Sequence, residues 1–229
     1  MTTEIRPRPE TLDSGAVNRG AVTQIHHPLV RHYLSRLRDV ATPPAEFRQL
    51  IQSLAGVLAY EATKDLAEHS VEVRTPLCVT SGQSLQQRIG LVPILRAGLG
   101  MVDPILGLLP QAEVWHLGIY RDEQTMQPVE YYSKLPPSEP VDVALVLDPM
   151  LATGGSVLAA LATLTEWGVP TVKVLSVIAA EEGLRDVSTR YPQAQIYVAA
   201  VDPELNAHKF IVPGLGDAGD RTFNTLPRS

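Results

Sequence analysis

Apolar residues along this chain recur first with a helical period and later in unbroken runs. From Leu29 to Val40 they fall at Leu29, Val30, Tyr33, Leu34 and Leu37, one face of a helix. Thr42-Pro43-Pro44 breaks the pattern and offers an N-cap followed by proline in the first turn of a second helix. Phe47, Leu50, Ile51, Leu54, Val57, Leu58 and Leu66 then predict a long amphipathic helix ending near His69. Val71–Thr75 alternates as a short strand, and Ser81-Gly82 reads as a turn. The texture changes after that. Apolar runs at Gly90–Leu95, Val114–Tyr120, Val141–Leu147, Val172–Ile178 and Ile196–Val201 alternate with helix-length segments near 97–109, 154–168 and 181–191. Strands that are apolar throughout are buried on both faces. The expected fold class is therefore α/β, a mostly parallel twisted sheet flanked by helices. In such sheets ligands gather beyond the carboxyl ends of the strands, here at Arg96, Asp148 and the residues after them.

Two stretches depart from this rhythm. Tyr120 to Pro137 is polar at its centre with β-formers on either side, which predicts a protruding hairpin or flap. Asn206 to Gly219, punctuated by Pro213, Gly214 and Gly216, reads as irregular. Residues 1–20 are polar and contain Glu4, Glu10 and Asp13 with no apolar core, unlike a signal or transit peptide. They are expected to be a loosely held tail, with residues 21–229 as a single domain and the protein in the cytoplasm.

Composition narrows the function classes. With 229 residues and 45% hydrophobic content, the chain can bury a sizeable core without metals or disulfides. Its net charge of −6 argues against a dedicated binder of nucleic acid or anionic membrane. Cys78 is the only cysteine, so an internal disulfide is excluded, and the histidines show no zinc-ligand spacing. The most apolar stretch, Leu91–Pro110, carries Arg96 and Asp103 and is broken by proline and glycine, so no membrane span is expected.

The sharpest chemical signal is the segment from Val141 to Ser156. A buried strand ends in the carboxylate of Asp148, and a short loop leads to Thr153-Gly154-Gly155-Ser156 at the start of a helix. Glycines free the amides, Thr and Ser add hydroxyls, and the helix end adds its positive dipole, which together make a cradle for a phosphate monoester. A carboxylate one loop away suits the vicinal hydroxyls of a ribose. No Gly-Lys-Ser/Thr follows, so this is not a nucleoside-triphosphatase loop.

This strand–Asp–loop segment resembles the phosphoribosyl-pyrophosphate (PRPP) loop of the type I phosphoribosyltransferases. In the wider group two acids commonly precede the loop; here Pro149 stands second, as in the uracil branch. His27-Pro28-Leu29-Val30, Tyr60-Glu61-Ala62-Thr63, Val92–Met101, Tyr120–Glu123 and Pro213–Asp220 are similar to blocks of the same uracil phosphoribosyltransferase branch. The resemblance covers all but about the first twenty residues. It implies the type I phosphoribosyltransferase fold, conversion of uracil and PRPP to UMP and diphosphate in pyrimidine salvage, and Mg²⁺ held mainly by PRPP and water. It also implies a homodimer or larger assembly, and GTP as an effector in some relatives. It places PRPP on Arg96, Arg121, Asp217 and the run Asp148, Pro149, Met150, Leu151, Ala152, Thr153, Gly154, Gly155 and Ser156. Uracil falls on a hood at 202–220, through Ile211, Gly216, Asp217 and Ala218. Arg96, Asp148 and Asp217 are the candidate catalytic residues.

Several residues weigh differently. An arginine directly after an apolar strand is costly to bury unpaired, so Arg96 is either a ligand group or an ion pair at the sheet edge. The same resemblance points to a non-proline cis peptide at Leu95–Arg96. Asp122 and Glu123 read as solvated charges. His26, His27 and His32 read as structural, and Tyr60 and Glu61 as packing and pairing groups. Phe210 stands where many relatives have tyrosine. Two other functions fit the same fold: an RNA-binding regulator that senses PRPP or UMP, and a phosphoribosyltransferase for another nucleobase. The absence of a basic stripe counts against the first.

Overall fold

The computed structural model describes residues 17–19, 22–121, 128–133, 135–136 and 138–225. Val17–Arg19 (β1), within the expected tail, pairs antiparallel with Val22–Gln24 (β2). Pro28–Arg38 (α1) and Pro44–Ala62 (α2) follow, both with proline in the first turn. Glu68–Arg74 (β3) and Val79–Leu85 (β4) make a separate antiparallel hairpin. Ile89–Leu95 (β5) leads through a 3₁₀ turn at Ala97–Met101 into Val102–Leu108 (α3) and Glu113–Val114 (β6). Leu117–Arg121 (β7) and Pro128–Ser133 (β8) form a hairpin as expected, but it starts before Tyr120 and forms one edge of the main sheet, since β7 pairs with β5. Its tip at 122–127 lies outside the described residues. The body then runs through Val143–Leu147 (β9), Met150–Leu151 (β10), Gly155–Trp167 (α4), Thr171–Ala180 (β11), Glu181–Arg190 (α5) and Gln195–Asp202 (β12). Glu204–Leu205 (β13), Ile211–Val212 (β14) and Ala218–Phe223 (α6) form the carboxy-terminal segment.

The sheet order is β1-β2-β12-β11-β9-β5-β7-β8, with β10 added beside β11 and β6 beside β5. Pairings are parallel except at the two edges, β1–β2 and β7–β8. Strand β9 explains the layering. Val143, Leu145 and Leu147 join the core beneath α1, α2 and α3, while Ala144 and Val146 join the core beneath α4 and α5. Alternate side chains of a strand point to opposite faces, so a wholly apolar strand demands two cores. Lys173 in β11 is buried, with its Nζ donating to the Ala62 carbonyl and paired with Asp65, which fastens the end of α2 to the sheet.

Three expectations from the sequence need correction. The second helix stops at Ala62, where Thr63 Oγ1 turns back on the Ala59 carbonyl (2.8 Å), and His69 lies in β3. Ser81-Gly82 is no turn. It lies inside β4, with Gly82 opposite Val71, and the chain reverses instead at Thr75–Cys78, closed by Thr75 Oγ1. The carboxy-terminal segment is more regular than its glycines suggest, since Ile211–Val212 pairs with Glu204–Leu205 and α6 begins at Ala218. Among the described residues no helix is long and apolar enough to cross a membrane.

Candidate active site

The site is assembled at the carboxyl ends of β5 and β9 and closed by the carboxy-terminal segment. Strand β9 ends at Leu147 and presents Asp148. Its carboxyl accepts from the Met150 N–H (3.3 Å). Protein encloses the carboxyl on most sides, although part of the residue reaches solvent. Desolvation pushes its pKa up to about 7, against the Met150 hydrogen bond, and the negative charge of Asp217 pushes in the same direction as burial. These two carboxyls, 69 positions apart in sequence, therefore lie close enough for their charges to interact.

From Asp148 the loop is pinned to the neighbouring strand. The Pro149 carbonyl accepts from Val177 and Ile178 N–H (both 3.1 Å), and Met150–Leu151 pairs with Ile178–Ala179. The chain then turns at Gly154, whose φ of +83° is a conformation that suits glycine, and α4 begins at Gly155. No side chain caps this helix. Its first amides thus lack the partner that a Ser or Asp cap would supply. The strand, loop and helix start that the sequence predicts around Asp148 are thus in place.

Strand β5 delivers Arg96, and the Leu95–Arg96 peptide is cis. Gly98 sits so close to the end of β9 that a Cβ there would lie 2.2 Å from the Leu147 carbonyl oxygen, so glycine lets residues 96–98 abut Asp148. The Arg96 guanidinium is more than half exposed and ion-paired with Asp220 at 3.0 Å. Thr225 Oγ1 donates to the same Asp220 carboxyl (2.6 Å). That bond, followed by the Arg96 hydrogen bond and charge, holds the Asp220 carboxyl below its ordinary range. Arg96 is thus both the paired residue and a cleft residue.

The carboxy-terminal segment contributes main chain. Ile211, Leu215 and Ala218 bury their side chains, so at these positions the loop can offer a ligand only main chain, and the Asp217 carboxyl adds a charged group beside them. Val212–Pro213 is cis. Asp217 accepts from the Asp220 N–H (2.8 Å) as the N-cap of α6. A Cβ on Gly219 would fall 3.2 Å from Asp217 Oδ1 and 4.0 Å from Arg96 Nη2, which shows how closely the two segments converge.

Arg96, Asp148, the loop 149–156 and Asp217 are therefore brought together. Arg121 ends β7, but its side chain lies outside the described residues, as do Asp122 and Glu123. His27 caps α1, its Nδ1 accepting from the Leu29 N–H (3.2 Å). Among the described residues no group of three His, Cys, Asp or Glu could by itself hold a metal. Glu61 pairs with Lys64, whereas Tyr60 is 69% exposed and so is no core residue. Sequence reasoning missed Asp220 as the partner of Arg96. It also missed Arg38, Asp202 and Arg221, which bind the carboxy-terminal loop. Only the presence of Asp220 and Arg221 beside Asp217 hinted at them.

A family model described as uracil phosphoribosyltransferase matches residues 24–225. The uracil phosphoribosyltransferase of Roseiflexus castenholzii is 57% identical over 199 residues, covering 87% of this chain and 96% of that protein. The one from Finegoldia magna is 50% identical over 205 residues, 89% of this chain and 98% of that protein. Among solved structures, a protein from Aquifex aeolicus aligns with a TM-score of 0.84 at 38% identity, over 88% of this chain and 97% of that one. Adenine phosphoribosyltransferase from Trypanosoma brucei aligns at a TM-score of 0.52 and 12% identity, over 80% and 84% of the two chains, a likeness of fold.

Proposed function

The chain belongs to the uracil phosphoribosyltransferase family, and from that membership and the site we infer that it converts uracil and PRPP to UMP and diphosphate. The observation that carries this reading is that Asp148, a short loop ahead of the uncapped start of α4, lies near enough to Asp217 of the carboxy-terminal segment for their charges to interact. In the reaction, uracil N1 forms a bond to ribose C1′ as the C1′–O bond to pyrophosphate breaks. The pyrophosphate leaves with the electron pair, and the N1 proton is lost. Positive charge grows on the ribose and negative charge on the leaving group. Arg96 answers the second, and the amides of 152–156 hold the 5′-phosphate. Asp148 accepts from the ribose hydroxyls and fixes the sugar relative to both. No nucleophilic Ser-His or Cys-His pair is needed, because positioning and charge stabilisation suffice.

Mg²⁺ fits this site. Asp148 and Asp217 repel one another across the cleft, and a divalent cation held by pyrophosphate oxygens and water would find its negative surroundings there. Such an ion neutralises charge on the leaving pyrophosphate. GTP as an effector, a cytoplasmic location and assembly into a homodimer or larger oligomer belong to the same reading. The exposed apolar residues Leu29, Tyr60 and Leu108 on α1, α2 and α3, and Tyr132 on the β7–β8 hairpin, support assembly. A uracil-plus-PRPP assay with and without EDTA and GTP, beside sedimentation at micromolar concentration, tests these points. Full activity in EDTA, or a monomer, would remove the corresponding one.

Base choice follows from a hood made of main chain. Uracil presents acceptor, donor and acceptor along O2, N3–H and O4, whereas cytosine conflicts at N3 and at its amino group. Fixed backbone groups cannot flip to suit the second pattern as an Asn or Gln amide could. Two unpaired buried groups at roughly 1–3 kcal/mol each give an expected preference for uracil of about 10²–10⁴. A nucleobase panel checks this, and cytosine turnover within tenfold of uracil would refute a backbone hood.

A further inference from the structure

The loop that faces the base does not hold itself. Gly214 is gripped at both of its polar groups: its N–H donates to Asp202 Oδ2 (3.0 Å) and its carbonyl accepts from Arg38 Nη1 (2.7 Å). Arg38 and Asp202 are themselves joined by two hydrogen bonds, 2.8 and 2.6 Å, and Asp202 is 4% exposed at the very end of β12. The next carbonyl, Leu215, accepts from Arg221 Nη1 (2.7 Å). That same guanidinium donates to the Leu37 carbonyl (2.6 Å) and the Asp39 carbonyl (2.7 Å), and it lies 4.2 Å from the centre of the Phe47 ring. Three main-chain groups of two successive residues are therefore tied, directly or through Arg221, to two fixed points, the carboxyl end of α1 and the end of β12.

This arrangement is costly if its purpose is cohesion alone. Burying charged side chains forfeits hydration, and apolar packing would fasten a loop as well or better. Arg221 has no carboxylate among these partners and lies buried among carbonyls; burial pushes its pKa down, with the charge of Asp39 acting the other way. What charged, multiply bonded side chains supply is direction. Gly214 stands at φ +62° and Gly216 at +79°, so the peptide planes of 214–216 turn through left-handed conformations. Their orientation would drift without external hydrogen bonds. A base read by main-chain donors and acceptors tolerates little drift, since a displacement of about 1 Å at a binding group can cost on the order of 10²-fold.

Resting on the uracil reading above, we propose that Arg38, Asp202 and Arg221 are positioning residues that set base selectivity by fixing the main chain of the hood. None of them need touch uracil.

The experiment compares Asp202→Asn and Arg38→Lys with the unaltered full-length protein. Uracil KM, the uracil-to-cytosine ratio of kcat/KM, PRPP affinity by calorimetry without base, and thermal unfolding are measured for each. Asn places a donor against donors, and Lys reaches Asp202 or the Gly214 carbonyl but not both. The expected result is a rise in uracil KM of roughly 10–100-fold and at least a ~10-fold fall in base selectivity, with PRPP affinity within about twofold. Lys should lie between Asn and the unaltered protein. Uracil KM and selectivity both within about twofold, or uracil and PRPP parameters falling together with the folded fraction, would overturn the proposal. If Asp202→Asn does not fold, Arg38→Lys decides by the same criteria. Failure of the unaltered protein to make UMP would instead overturn the underlying reading of the enzyme.

Discussion

Replacing Asp148 by Asn is expected to cripple turnover and, at the same time, to make the protein more stable. The two effects share one cause. The fold holds this carboxyl at a pKa of about 7, against an ordinary value of 3.8, mainly by desolvation. Below about pH 3 the group keeps its proton whether the chain is folded or not, so it costs nothing. As pH rises from there the unfolded chain ionises freely while the folded one resists. The cost therefore grows and is complete above about pH 7. Asn has no charge to bury and still offers Oδ1 to the Met150 N–H. At pH 8 it should relieve on the order of 2–4 kcal/mol, raising Tm by roughly 5–10 °C; near pH 4 the gain should be a small fraction of that, and it should vanish below about pH 3. Catalysis runs the other way. Two hydrogen bonds to ribose hydroxyls lose their charge assistance, and kcat/KM for PRPP should fall about 10²–10³-fold. Because the ionised form is the acceptor, the unaltered enzyme should also gain kcat/KM as pH rises through about 7, a limb the Asn variant should lack. Unchanged kcat/KM, or the same Tm gain at pH 4 and pH 8, would show that Asp148 is not a desolvated ribose acceptor.

How much of this was legible in the sequence depends on the distance over which each feature is encoded. Strand β9, Asp148 and the loop into α4 were legible because a continuous apolar run, an acid and two glycines are consecutive signals. Their physical meaning is local. The parallel sheet was legible for the same reason, since Val141–Leu147 and Val172–Ile178 admit burial on both faces only. Misreadings came where one local signal hid another. Leu66 continued the helical period past Thr63, although the Thr63 hydroxyl terminates the helix at its own backbone. Ser81-Gly82 has turn chemistry, yet Gly82 serves the hairpin by leaving room where a Cβ would meet Val73 Cγ2 at 2.6 Å. The pairing of the charged residues was not legible. Arg96 and Asp220 are separated by 124 positions, and Arg38 and Asp202 by 164. Nothing in either neighbourhood names the other; only the fold brings them into contact. Resemblance supplied the residues assigned to the ligands, but not those that hold them in place.

Gly183 offers the sharpest conflict between local preference and tertiary contact, and its replacement by alanine should be settled by the contact. In isolation the change looks favourable, because alanine is better than glycine inside a helix by about 1 kcal/mol. Gly183 lies in the first turn of α5, however, directly against the loop after Asp148. A Cβ there would sit 2.2 Å from the Ala152 carbonyl oxygen and 2.6 Å from Leu151 Cδ2. The carbonyl cannot rotate aside as a long side chain could. Either α5 retreats or the loop moves by about 1 Å, and overpacking of this kind costs roughly 1–3 kcal/mol. Helix preference offsets part of that, so stability should change by no more than about 2 kcal/mol. Activity has no such compensation. Residues 152–156 carry the amides assigned to the 5′-phosphate, and their displacement should lower kcat/KM for PRPP about 10²-fold while the protein stays folded. Gly107→Ala in α3 supplies the control. A Cβ there meets nothing within 4 Å, so it should raise stability by about 0.5–1 kcal/mol with activity intact. Parallel Tm and kcat/KM measurements on the two variants separate the outcomes. Gly183→Ala with a raised Tm and PRPP kinetics within threefold would mean that the loop does not take its position from α5.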